Sequence, residues 1–274
     1  MKNTLKLLEQ IIKQHTIEQI LPRYNQVAYR FKQDGSLVTE ADSEMQKAMI
    51  ASLQQHWPEY VVLGEEMTEA EQQAQLDSDA QGVWILDPLD GTSNFASGIP
   101  VFSVSIALVI KNEVVLGVIY DPNRNETFSA IKDEGAWLNG QVLHSHTERE
   151  SLHQCTAQID FKRLTPEMRV CLSREHPYAS QRNFGSGALD WCWLAAGRCQ
   201  INIHGGQKLW DYVAGQLILS EAGGYAKTFA GENVFKKTLK PRSVMAAVNF
   251  SLFQQLQKYL TSMECRNKII NPEK

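Results

Sequence analysis

The segment Val83-Trp84-Ile85-Leu86-Asp87-Pro88-Leu89-Asp90-Gly91-Thr92 constrains the chain more than any other. Its first four residues are bulky and apolar, as in a buried strand, and the two acids, proline and glycine that follow are strand-ending types. Two carboxylates at the end of a buried strand are costly unless hydrogen bonds or cations compensate them. A plain Asp-Pro-x-Asp-Gly turn accounts for the pattern as well. In the other reading, hard divalent ions such as Mg²⁺ take oxygen ligands, and Asp87, Asp90 and the Leu89 carbonyl form one cluster. Gly91 then lets the backbone approach a ligand closely, and the Gly91 and Thr92 amides face a phosphate.

Two further acids occupy comparable places. Glu65, in Gly64-Glu65-Glu66, follows a predicted strand from Tyr60 to Leu63; by itself such a pair reads as a solvated loop. Asp211 precedes an apolar helix predicted from Tyr212 to Ala222 and closed by Gly223-Gly224, where Asp also serves as an ordinary N-cap. Upstream, Thr39 and Asp42 have the spacing of a capping box and predict a helix from Ala41 to Gln55, stopped by Trp57-Pro58.

Around these segments the pattern predicts an amphipathic first helix with Leu5, Leu8, Ile11, Ile12 and Ile20 inward, and a turn at Asp34-Gly35. A β-hairpin about Lys111-Asn112-Glu113 comes next, with strand candidates from Thr127 to Ile131 and from Ala136 to Leu138. That half reads as a mostly antiparallel sheet with helices packed on it. Glu148 to Phe184 reads as irregular, with a short helix starting at Thr165-Pro166; beyond it strands and helices alternate, as in a mixed α/β lobe.

Composition excludes several classes. A net charge of -4, with only a short basic stretch at Lys236-Lys237 and from Lys240 to Arg242, gives no field for nucleic acid. An anionic substrate therefore needs local compensation, which bound cations supply. Five cysteines, an odd number without metal-ligand spacing, fit reduced thiols in a cytoplasm. The N-terminal residues lack the apolar core of a signal peptide, and no stretch approaches the roughly 18 to 20 apolar residues that span a bilayer.

Taken together, Gly64-Glu65-Glu66, the run from Trp84 to Phe95 and the run from Leu209 to Gly224, with Val38 to Asp42 upstream, closely resemble the inositol monophosphatase family of Mg²⁺-dependent, lithium-sensitive phosphatases. The resemblance covers roughly Lys32 to Gly224. It implies a layered αβαβα sandwich, α+β and α/β, of the inositol monophosphatase and fructose-1,6-bisphosphatase type. An N-terminal α+β lobe, 1–147, would carry most ligands, and a C-terminal α/β lobe, 148–274, would carry Asp211 and substrate contacts, in one compact unit. The resemblance makes Glu65, Asp87, Asp90, Asp211 and the Leu89 carbonyl ligands of about two or three Mg²⁺ ions, with Li⁺ inhibitory. It makes Thr92 and Asp42 the pair that orients and deprotonates the attacking water.

Gly91, Thr92 and Asp211 are also expected at the substrate. By spacing back from Asp211, Gly185-Ser186-Gly187 matches the family's substrate-contacting segment. His204 stands where inositol-specific members carry a glutamate; an imidazole accepts hydrogen bonds differently and, if protonated, meets a second anion. Lys32 reads either as a family lysine near the metal loop or as an exposed loop lysine. Inositol-1-phosphate-type monoesters are the first substrate expected, with fructose-1,6-bisphosphate, histidinol phosphate and 3′(2′),5′-bisphosphate nucleotides as alternatives. An alternative of another class is a binding partner in RNA metabolism with secondary catalysis. The region before Phe184 is shorter than the family segment that helps form the usual dimer interface; the resemblance still implies a homodimer. No membrane and no direct nucleic-acid partner is expected.

Overall fold

The computed structural model describes residues 1–26, 28–32, 35 and 37–270, with backbone alone for 263–270. The strand Gly82–Asp90 is buried along its whole length. Its side chains alternate between two apolar clusters, Trp84 and Leu86 in one, Val83 and Ile85 in the other. A strand dry on both sides needs a helical layer on each face, and the order of the chain provides both.

The N-terminal elements are α1 (Lys2–His15), β1 (Tyr29–Phe31), β2 (Leu37–Thr39), α2 (Glu40–His56), β3 (Tyr60–Gly64), α3 (Glu69–Asp77), β4 (Gly82–Asp90) and α4 (Thr92–Ala96). Five strands follow: β5 (Ser103–Ile110), β6 (Glu113–Asp121), β7 (Glu126–Ile131), β8 (Gly135–Leu138) and β9 (Gln141–Leu143). Then come β10 (Thr156–Asp160), α5 (Pro166–Glu175), β11 (Ser180–Arg182), α6 (Gly187–Ala195), β12 (Ile201–Gln207) and α7 (Leu209–Glu221). The described chain closes with β13 (Tyr225–Lys227), β14 (Arg242–Ala247) and α8 (Phe250–Ile270).

Strands β3 to β9 form a seven-stranded sheet in sequence order, parallel only between β3 and β4. The second sheet has five strands in the order β11-β10-β12-β14-β13, parallel across β11-β10-β12 and antiparallel beyond. Helices α1 and α2 cover one face of the larger sheet; α6 and α7 lie between the sheets. Helix α8 packs on β12, β13 and β14, and α5 packs on α8. The result is the layered αβαβα sandwich. Helix α7 explains the middle layer: Leu209, Trp210, Tyr212, Val213, Ala214, Leu217, Ile218 and Leu219 are all buried, and a helix apolar all round needs partners all round. Among the described residues, no helix is long and apolar enough to cross a membrane.

Three expectations are corrected. The span from Glu148 to Phe184 is not irregular: it supplies β10, a central strand, together with α5 and β11. Gln158 and Asn202, polar but buried and opposite each other in β10 and β12, break the apolar pattern that marks such a strand. Short strands β9 and β13 extend the two sheets beyond the predicted ones. Asp211 is not the N-cap of its helix; α7 begins at Leu209, and Asp211 Oδ2 accepts the Lys208 backbone N–H at 2.9 Å. A carboxylate in the third helical position reaching back to the cap satisfies a donor that the helix cannot. The predicted turn at Asp34-Gly35 lies partly outside the described residues, because Asp34 is not among them.

Candidate active site

The end of β4 is shaped by one extra residue. Asp87 pairs with Ser105 and Asp90 with Ser103, so three steps on β4 face two on β5. In a regular strand, side chains three apart point to opposite faces. The bulge removes that offset, and both carboxylates line the same cleft. Pro88, which has no N–H for the ladder, sits where the ladder is interrupted. Leu89 N–H turns inward to Asp87 Oδ1 at 3.0 Å. Gly91 follows with φ 89°, and a β-carbon there would stand 2.9 Å from the Val101 carbonyl, so both its backbone angle and its surroundings require glycine.

The other acids arrive from separate layers. Glu65, just past β3, is tied to β4 by its N–H to the Leu86 carbonyl at 3.0 Å. Asp211 comes from the first turn of α7, and Asp42 from the first turn of α2. The capping box holds Asp42: its Oδ2 accepts Thr39 N–H at 2.7 Å and the Thr39 hydroxyl at 2.6 Å. Its Oδ1 faces the Thr92 hydroxyl at 3.0 Å, which also lies 3.0 Å from the Leu89 carbonyl. Lys32 Nζ bridges Glu66 at 2.6 Å and Glu65 at 3.2 Å.

One cleft of about 370 Å³ is lined by Glu65, Asp87, Leu89, Asp90, Gly91, Thr92, Gly185, Ser186, Gly187, His204 and Asp211. Asp42 reaches it through Thr92. Ser186 and Gly187 are turned toward Asp90: the buried Ser186 hydroxyl donates to Oδ2, the Gly187 amide to Oδ1 at 3.0 Å and the Ala188 amide to Oδ2 at 2.9 Å. Asp90 thereby ties the end of β4 to the start of α6. His204 Nδ1 accepts the Gly206 N–H at 3.1 Å, which leaves its Nε2 to face Asp160 Oδ2 at 3.4 Å.

Crowded acids raise one another. Burial, then the charges of Glu65, Asp90 and Asp211, lift the Asp87 carboxyl well above its usual range. Burial, then Glu65 and Asp90, push Asp211 up to about 8. Burial also raises Asp42 and Asp90 against the hydrogen bonds they accept. Burial and Glu65 push Glu66 up to about 7. Burial alone would lower the Lys32 ammonium, but Glu65 and Glu66 together raise it. Among the described residues, no three His, Cys, Asp or Glu side chains are drawn together as a metal-ligand group.

Sequence reasoning missed Asp160, Lys162, Arg163, Asp190 and Lys208, which line the same cleft. Asp190 is the most unusual: burial, then Asp90 and Asp160, push it well above the carboxylate range, and its Oδ1 has no hydrogen-bond partner among the described residues. A signal for Lys162 and Arg163 was the pair Gly205-Gly206, which the structure places within β12, since glycine in a strand marks close backbone approach.

Comparison with known proteins agrees with this architecture. The inositol monophosphatase family profile matches residues 2–264. "Nus factor SuhB" of Pasteurella multocida is 39% identical over 204 residues, 73% of this chain and 74% of the relative. The same-named protein of Haemophilus influenzae is 37% identical over 225 residues, 81% of each chain. Among solved structures, the Thermotoga maritima IMPase superposes with a TM-score of 0.82 at 26% identity, covering 96% of this chain and 99% of its own. Bartonella henselae extragenic suppressor protein suhB gives 0.81 at 29% identity, covering 94% and 98%. With a match over nearly its whole length and the layered fold in place, the chain belongs to the inositol monophosphatase family, a family of phosphatases.

Proposed function

We propose that this chain is a Mg²⁺-dependent hydrolase of a small phosphate monoester, with inositol-1-phosphate-type compounds the first to test. The observation that carries this reading is the meeting of Glu65, Asp87, Asp90, Asp211, the Leu89 residue and the Thr92–Asp42 pair at one cleft. The donor set fits a hard divalent cation, because it offers oxygen alone and crowds carboxylates whose burial and mutual charge push Asp87 well above its usual range and Asp211 up to about 8. Bound Mg²⁺ supplies Lewis-acid polarisation of a phosphate and an easier deprotonation of water.

The chain's own residues do the rest. The Thr92 hydroxyl donates to Asp42 Oδ1, so Thr92 Oγ1 is free to accept a proton from water while its own moves to Asp42. Asp42 Oδ2 is held by Thr39, which leaves Oδ1 as the acceptor. Burial raises Asp42 toward the range of a working base. The Gly91 and Thr92 amides, at the sharp end of β4, orient the phosphate, and Asp90 keeps Gly185-Ser186-Gly187 against the cleft. In this reading 1–147 and 148–274 are two lobes of one compact unit with the site between them, in a cytoplasmic homodimer.

The test is phosphate release from inositol 1-phosphate, fructose 1,6-bisphosphate, histidinol phosphate and adenosine 3′,5′-bisphosphate, with and without Mg²⁺ and Li⁺. Release that requires Mg²⁺ and is lost in Asp87→Asn is expected. No release from any compound refutes the enzyme reading, and an undiminished Asp87→Asn refutes the metal assignment. A second reading rests on the "Nus factor" name of the relatives: a binding role in which catalysis is secondary. Pull-down with wild type and Asp87→Asn separates them, because a binding role survives the substitution.

A further inference from the structure

The cleft carries a cationic set that hydrolysis of a simple monoester does not use. Lys162 and Arg163 lie in the tight turn Phe161–Arg163 that follows β10, and both line the cleft. Among the described residues, neither side chain makes a hydrogen bond or an ion pair.

This turn is built into the fold. Asp160 Oδ1 accepts the Lys162 N–H at 2.9 Å, and Leu164, just past the turn, is buried. On the other side stands Gly205 of β12, where any β-carbon would collide with the Arg163 carbonyl oxygen. Only glycine at 205 lets the turn close on the strand, and that closure delivers both cations to the cleft. Asp160, the acid that opens the turn, faces His204 Nε2; burial would raise its carboxyl, but the His204 hydrogen bond and charge, then the Lys162 N–H and the Arg163 charge, hold it below the usual range. Lys208, whose ammonium lies 5.4 Å from the Trp210 ring centre, adds a further positive charge to the same lining.

We propose that Arg163 and Lys162 bind a second phosphate group on the substrate, so that the molecule hydrolysed is a small bisphosphate. A planar guanidinium pairs with phosphate through two parallel bonds, and an ammonium adds a point charge. His204, which lines the same cleft, adds an imidazole beside this set. The proposal rests on the phosphatase reading for the scissile phosphate and narrows what carries it.

The experiment compares matched pairs, fructose 1-phosphate with fructose 1,6-bisphosphate and 3′-AMP with adenosine 3′,5′-bisphosphate, by kcat/KM and by calorimetric affinity. The expected result is a preference of about tenfold or more for the bisphosphate of at least one pair, the equivalent of one charge-assisted bond. Arg163→Gln and Gly205→Ala collapse that ratio, and Arg163→Lys retains part of it. Equal values within both pairs, or a ratio unchanged in Arg163→Gln, overturn the proposal. Absence of phosphate release from every compound refutes the phosphatase reading instead; the calorimetric ratio then still decides the second-phosphate site.

Discussion

Replacing Asp211 by Asn should stabilise the metal-stripped protein while abolishing its activity. The substitution keeps an oxygen for the Lys208 N–H, so the helix start is preserved and only the charge is lost. Burial, with Glu65 and Asp90 beside it, raises this carboxyl from 3.8 to about 8 in the folded state. A raised folded value means that stability present below about pH 4 is lost as pH climbs through about 8. The difference of about 4 units, at ~1.36 kcal/mol each, gives ~6 kcal/mol above pH 8. Asp211 is only partly buried, so water in the cleft screens these charges, and about half of that, ~3 kcal/mol, is expected. At about 2 °C per kcal/mol for a chain of this size, Asp211→Asn should melt about 6 °C above wild type at pH 8 in EDTA. Near pH 4 the two should coincide. Thermal unfolding from pH 4 to 9, with EDTA or with excess Mg²⁺, measures this. Mg²⁺ should reverse the order, because wild type alone retains the full set of charges for it. A variant no more stable than wild type at pH 8 in EDTA, or stabilised equally by Mg²⁺, refutes the argument that these acids repel one another for want of a cation.

Three further outcomes follow from single contacts. Thr92→Val should lower kcat by about 10² to 10⁴, while Thr92→Ser keeps most activity; comparable turnover in the valine variant would remove Thr92 from the proton path. Ser186→Ala removes the closer of the two hydroxyls on buried Asp90, leaving the Ser103 hydroxyl at 3.3 Å, and should cost ~1–3 kcal/mol in urea unfolding; an unchanged midpoint would mean that Ser103 and the Gly187 and Ala188 amides suffice. Lys32→Met should destabilise by ~1–2 kcal/mol at pH 8 and less at pH 6, measured the same way. Glu66, at about 7, is protonated below that pH and needs the ammonium only above it, so a pH-independent cost would contradict the pairing.

Local patterns were legible wherever the physics is local. The Thr39–Asp42 capping box depends on neighbours three residues apart and marked the start of α2 to within a residue. The apolar run at Val83 to Leu86 marked β4, and Lys111-Asn112, both with positive φ, form the hairpin turn between β5 and β6. The acids at 65, 87, 90 and 211 could be singled out as charges at element ends. Taken one at a time, however, each allowed an ordinary explanation, and order along the chain was the feature that joined them.

The amino-acid sequence by itself determined the strand that ends in two acids, through its apolar run, and carried in short motifs the resemblance to the family, which in turn implied the layers. Only the tertiary structure decided what that strand end does. Its bulge is set by pairing with Ser103 and Ser105 on β5, and it turns Asp87 and Asp90 into one cleft. Folding also places the Gly187 and Ala188 amides on Asp90, although the two segments are nearly a hundred residues apart. The cationic turn at Lys162 and Arg163 was hidden for the same reason. Its place depends on β10 lying beside β12 and on the absence of a side chain at Gly205, and such long-range contacts leave no periodic trace in the chain.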